Sequence, residues 1–185
     1  MIAETLSQCF SPGSAVVIGL DSYYRDLSTL TEEEKNSWNF DRPDALDVPL
    51  LLQQMRELAA GREIIKPVYR YPSHTRAAEG VRIAPRRYVL IEGLFALYWQ
   101  ELRSIYALRV FVEAQEDVCL ERRLIRDERE RGFSRAYIRW QYETSVKPMY
   151  AEHVLPTRQW ADVILDGEQP PRKSVDRLLD SLTCL

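Results

Sequence analysis

Four short runs constrain this chain most: Ala15-Val16-Val17-Ile18-Gly19-Leu20, Tyr88-Val89-Leu90-Ile91, Leu108-Arg109-Val110-Phe111-Val112 and Ala161-Asp162-Val163-Ile164-Leu165. Each is rich in β-branched residues and nearly continuous in hydrophobicity, as parallel strands covered on both faces are. Parallel strands need crossovers, and the intervening sequence reads as helices: Pro49 to Ala60 ended by Gly61, Glu116 to Arg131 ended by Gly132, Ser134 to Val146 stopped by Pro148, and Lys173 to Leu182. The alternation predicts an α/β fold with a mostly parallel sheet and right-handed crossovers. At 185 residues, the chain suits a single domain over 1–185 that buries roughly 70% of its unfolded surface. The stretch from Tyr69 to Arg87 breaks the alternation and predicts a small β-hairpin inserted within 66–87. Met1 to Phe10 reads as a helix, whereas doubly wound domains usually open on a strand, so that strand is expected to precede Met1.

Other features mainly exclude. With 25 basic against 28 acidic residues, there is no global attraction to nucleic acid or an anionic membrane. Cys9, Cys119 and Cys184 are odd in number and far apart, which offers neither a disulfide framework nor a metal knuckle and favours a cytoplasmic setting. There is no basic leader, and the longest apolar stretch, Tyr88 to Trp99, is interrupted by Glu92. The seven glycines never cluster, so neither G-x-x-x-x-G-K-[ST] nor G-x-G-x-x-G occurs within the chain.

Ligands of open α/β sheets bind beyond the carboxyl ends of the strands. The first strand runs into Asp21 and the second into Glu92. Two acids at one sheet edge either cap the turns that follow, or hold Mg²⁺ and accept the proton of an attacking hydroxyl. The helix within 117–135 carries Arg122, Arg126 and Arg129 on one face. Such a run is either a solvated surface of weak ion pairs or a lid whose guanidinium forks match phosphate oxygens. His74, among Tyr69, Tyr71 and Arg76, suits recognition of a flat heterocycle. In Asn39-Phe40-Asp41-Arg42-Pro43-Asp44-Ala45, helix capping by Asp44 or Asp47 accounts for those two acids and leaves Asp41 over.

Together, Asp21-Ser-Tyr-Tyr-Arg-Asp, Asn39-Phe-Asp-Arg-Pro-Asp-Ala-Leu-Asp, Pro67-Val-Tyr-Arg-Tyr-Pro-Ser-His-Thr-Arg, Ile91-Glu-Gly, Arg122-Arg-Leu-Ile-Arg-Asp and Ala161-Asp-Val-Ile resemble, in order, the uridine–cytidine kinase family of P-loop kinases, relatives of phosphoribulokinase. The resemblance implies a doubly wound sheet with a hairpin insertion and an arginine lid, and transfer of the γ-phosphoryl group of ATP or GTP to the 5′-hydroxyl of uridine or cytidine in pyrimidine salvage. It implies that Asp21 is the catalytic base and Glu92 the acid near Mg²⁺. By the same likeness Asp41 and Arg123 hold the ribose, Tyr69 and His74 read the pyrimidine edge, Tyr71 packs on the base, and Gln141 is a further nucleoside contact. Arg126 and Arg131 match lid arginines that face the donor's phosphates and take part in catalysis, and the family suggests a homo-tetramer.

Two departures stand out. Phe133 follows Arg131-Gly132 where the family has another arginine. The family's first strand and Walker A loop are expected ahead of Met1, and these residues alone should transfer phosphoryl groups poorly, since positioning and charge neutralisation are nearly all of that catalysis. The alternative is a non-catalytic nucleoside-binding or regulatory relative without the ATP site.

Overall fold

The computed structural model describes residues Ile2–Leu182, so that Met1 and the expectation for Cys184 lie outside the described residues. The chain gathers into two compact units, one spanning Ala3–Tyr106 and the other running on from Ala107. No helix among the described residues is long and apolar enough to cross a membrane.

In the first unit, α1 (Ile2–Ser7) leads to β1 (Ala15–Gly19), α2 (Glu32–Ser37), α3 (Val48–Ala59), the short strands β2 (Ile64–Lys66), β3 (Tyr69–Arg70), β4 (Thr75–Arg76) and β5 (Val81–Ile83), then β6 (Tyr88–Glu92) and α4 (Gln100–Arg103). The apolar runs at 15 and 88 pair in parallel, from Ala15↔Tyr88 to Gly19↔Glu92. Helix α3 follows from its sequence. Asp47 takes the cap position, accepting from the Leu50 N–H, and Leu51, Gln54, Met55 and Leu58 recur at helical spacing on the buried face. Ile18, Leu20, Tyr23, Leu46 and Leu102 join them in the core.

The irregular stretch folds back on itself. β2 pairs antiparallel with β5, and β3 with β4, the Ala77 N–H bridging to Val68 O at 2.8 Å between the two pairs. Its tip turns through Tyr71–Ser73, and His74 there adopts φ +54°, the only positive φ of a non-glycine residue among those described.

The second unit contains β7 (Val110–Glu113), α5 (Glu116–Arg131), α6 (Arg135–Gln141), α7 (Lys147–Met149), β8 (Val163–Asp166) and α8 (Pro171–Leu182). β7 and β8 are parallel, from Val110↔Val163 to Glu113↔Asp166. Their start is clamped by a fork: Arg109 Nε and Nη2 donate to the Asp162 carboxylate at 2.9 and 2.6 Å. Pro148 does not stop the preceding helix as its sequence suggests. The Lys147 N–H bonds to Tyr142 O, five residues back, so Pro148 enters just after a widened π turn that takes up its ring and missing donor.

Candidate functional site

The level register Gly19↔Glu92 brings the ends of β1 and β6 to the same edge. A tight turn, Leu20–Tyr23, starts at once and leaves Asp21 exposed there, while Glu92 is half-buried. Glu92 and the turn pack closely because the backbone beneath them is bare. A Cβ on Gly19 would stand 2.7 Å from Glu92 Oε1, and one on Gly93, at φ +143°, would stand 2.7 Å from Leu20 Cβ. Burial raises the Glu92 carboxyl above its ordinary pKa, and the charges of Asp21 and then Glu4 raise it further. The expected acid pair is therefore present, and its members repel.

Beside it lies a cluster of rings. Tyr24 sits 5.3 Å from Phe40 and 5.4 Å from Tyr69, Tyr71 meets Tyr69 edge-on at 5.4 Å, and Phe40 stacks on the His74 imidazole at 4.7 Å. Burial, then the charges of Asp21 and Asp41, pushes the Tyr24 phenol well above its ordinary pKa, so both acids flank this cluster. Asp41 is set by an Asx turn in which its N–H donates to Asn39 Oδ1 at 2.9 Å. The Tyr69 hydroxyl is buried and has no hydrogen-bond partner among the described residues. That is a costly state for a polar group unless a ligand supplies the partner.

The frame is held by Arg76. Its guanidinium donates to Tyr24 O at 2.9 Å, Tyr23 O at 3.0 Å and Asp47 Oδ2 at 2.9 Å, and the Leu27 N–H bonds to His74 O at 3.0 Å. One side chain of the hairpin thus fixes the turn bearing Asp21 and the cap of α3. The expectations for Asp21, Asp41, Glu92, Tyr69, Tyr71 and His74 meet in this unit. Tyr24, Phe40 and Arg76 were not singled out for roles. Tyr24 and Phe40 stand in the quoted motifs, but nothing in their spacing says that they would touch Tyr69 and His74.

In the second unit, the arginines of α5 turn on one acid. Asp127 is wholly buried. Arg126 Nε donates to its Oδ1 at 2.8 Å, Arg123 Nε lies 3.3 Å from Oδ2, and Arg131 Nη1 lies 3.6 Å from Oδ1. Burial alone would raise the Asp127 carboxyl, but Arg126 and then Arg131 and Arg123 outweigh it and hold it below the usual range. Arg123 Nη2 also donates to Gln141 Oε1 at 2.9 Å, so two expected nucleoside contacts meet directly. The face of Arg122, Arg126 and Arg129 does not act as one group. Arg122 Nη1 donates to Gly167 O and Arg129 pairs with Glu130, whereas Arg123 and Arg131, four residues before and after Asp127, share its side of the helix. Phe133 packs edge-on against Tyr137 at 5.1 Å.

A model of the phosphoribulokinase / uridine kinase family matches residues 2–171. The chain belongs to that family. Among curated relatives, a uridine kinase of Aeromonas hydrophila is 38% identical over 177 residues, covering 96% of this chain and 83% of that protein. The family fold is seen in two solved structures. A possible uridine kinase from Bacillus stearothermophilus has a TM-score of 0.56 at 20% identity, over 89% of this chain and 79% of that one. Phosphoribulokinase from Rhodobacter spheroides has a TM-score of 0.63 at 14% identity, over 85% of this chain and 63% of that one. As in its relatives' shared fold, this family member is an α/β protein with parallel strands. No group of three or more His, Cys, Asp or Glu residues able to hold a metal occurs among the described residues.

Proposed function

We propose that this family member is a uridine kinase: it transfers the γ-phosphoryl group of ATP or GTP to the 5′-hydroxyl of uridine or cytidine and serves pyrimidine salvage. The observation that carries the reading is the pair Asp21 and Glu92 at one sheet edge, beside a ring cluster in which a buried Tyr69 hydroxyl lacks a partner. A pyrimidine has both the flat face that Tyr71 and Phe40 suit and the polar edge that Tyr69 and His74 could bind. In the first unit Asp41 is assigned to the ribose by the family likeness, and in the second unit Arg123 and Gln141, bonded to each other, are assigned as nucleoside contacts.

In this reading Asp21 accepts the proton of the 5′-hydroxyl as its oxygen attacks the γ-phosphorus, and the bond to the β–γ bridging oxygen breaks, releasing the nucleoside diphosphate. Arg126 and Arg131 neutralise charge on the transferring group once they exchange Asp127 for phosphate oxygens. Two carboxylates are hard oxygen donors, and Mg²⁺ typically takes one or two of these with water and phosphate completing its shell. Glu92, with Asp21 beside it, fits that role and would hold the ion, which when bound offsets negative charge on the phosphates.

Titration calorimetry with uridine, cytidine and adenosine tests the nucleoside assignment, and transfer assays with ATP and GTP, run with the family's Walker A segment joined ahead of these residues, test the kinase assignment. Binding of a pyrimidine nucleoside, exclusion of adenosine and formation of the 5′-monophosphate are expected. Absence of pyrimidine binding would overturn the nucleoside assignment, and binding without transfer would overturn the kinase assignment.

A further inference from the structure

Lys66 ends β2 and is half-buried. Its Nζ donates to Ser22 Oγ at 2.8 Å and reaches Pro67 O at 3.5 Å. Ser22 directly follows Asp21 in the turn Leu20–Tyr23. Both ends of this contact are fixed. The Tyr23 hydroxyl donates to Gln54 Oε1 at 2.8 Å, and Gln54 Nε2 donates to Ile65 O at 2.7 Å, so one buried glutamine of α3 ties the turn to the strand that carries Lys66. The long side chain is thus aimed at the base of Asp21 by the backbone on either side.

The charge at that position has no acid to answer it. Neither partner of Nζ is a carboxylate, and its ion pairs are none among the described residues. Burial lowers the Lys66 ammonium below its ordinary pKa. Partly buried charges are normally paired or hydrogen-bonded in full. An ammonium has three donors, and one strong bond to Ser22 with one long contact to Pro67 leaves capacity for an incoming oxygen.

We propose that Lys66 is a phosphate contact of this site, its ammonium binding the 5′-phosphate of a nucleoside monophosphate through the donor that Ser22 and Pro67 leave over. The proposal rests on the nucleoside kinase reading, in which Asp21 stands at the 5′-oxygen. A phosphate formed on that oxygen is carried next to the same turn, within the neighbourhood of Ser22 and Lys66. Lys66 then distinguishes the monophosphate from the nucleoside and governs how long the product stays.

Calorimetry with uridine and with uridine 5′-monophosphate, on the full chain and its variants, tests this. Lys66→Met should weaken the monophosphate by about tenfold or more, as losing a charge-assisted hydrogen bond does, while uridine affinity stays within about twofold. Lys66→Arg should restore most of the loss, and Ser22→Ala, which keeps the charge and removes its anchor, should fall between. An unchanged ratio of the two affinities in Lys66→Met overturns the proposal, and so does a parallel loss of both ligands, which marks a structural role. Failure of the unaltered protein to bind either ligand refutes the nucleoside reading itself, and the Lys66 assignment with it.

Discussion

At the edge of β1 and β6 two acids meet and one raises the pKa of the other, whereas on α5 one wholly buried acid gathers three arginines and its own pKa falls. The first region sets two acids side by side near a hydroxyl that has no hydrogen-bond partner among the described residues. The second sets three arginines around a single carboxylate and keeps an excess of positive charge. Like charges placed together favour a cation or a proton as visitor, and arginines that outnumber their one acid favour an anion. The chain thus builds its two polar clusters by opposite electrostatics.

The sharpest way to break that contrast is at Asp21. In a form that carries the family's Walker A segment, Asp21→Asn should lower kcat by about 10²–10⁴-fold, the usual cost of losing a positioned general base, measured as steady-state transfer to uridine. Turnover near that of the unaltered protein would remove Asp21 from the chemistry. Asp127→Ala acts on stability instead. It strands three arginines around a buried void, and because Arg126 and Arg131 are partly exposed and can turn to water, the loss should lie at the low end for a broken buried pair, about 3 kcal/mol in urea unfolding. A change below about 0.5 kcal/mol, the range of ordinary surface substitutions, would show that the arginines do not depend on that acid.

Tyr69→Phe separates binding from stability. The hydroxyl has no partner to lose, so the melting temperature should hold or rise, while uridine affinity should fall by about tenfold for one lost hydrogen bond. Lost stability with intact affinity would contradict the role of Tyr69. The smallest effect concerns Glu92. The folded protein holds its proton more tightly than the unfolded chain does, so stability falls as pH rises from the ordinary glutamate range through the raised value. In the presence of a chelator, Glu92→Gln should therefore melt higher than the unaltered protein at neutral pH, and the two should converge in acid. A constant difference across pH would show that Glu92 titrates normally.

Much of this was legible beforehand. The β-branched runs at 15, 88, 110 and 163 became parallel strands, and Asp47 capped α3, because buried strands and helix ends are decided by local pattern and by backbone groups that must be satisfied. Asp21 and Glu92 could be placed at one edge from strand ends alone. Pro148 misled, since a lone proline says nothing about the π turn that admits it.

What the chain's order could not announce were the contacts between distant residues. That Phe40 would stack on His74, that Arg76 would grip both Asp47 and the turn after Asp21, and that Lys66 would reach Ser22 44 residues away all depend on how the hairpin packs against α3. Likewise, α5 alone offered several arginine faces. Burial of Asp127 chose among them, because a desolvated carboxylate must collect its counter-charges from whichever side chains reach it. Local pattern governs which elements form, since each residue's backbone and periodicity act at short range. Only tertiary packing settles which polar groups are stranded, paired or left open, because that depends on what water can no longer reach.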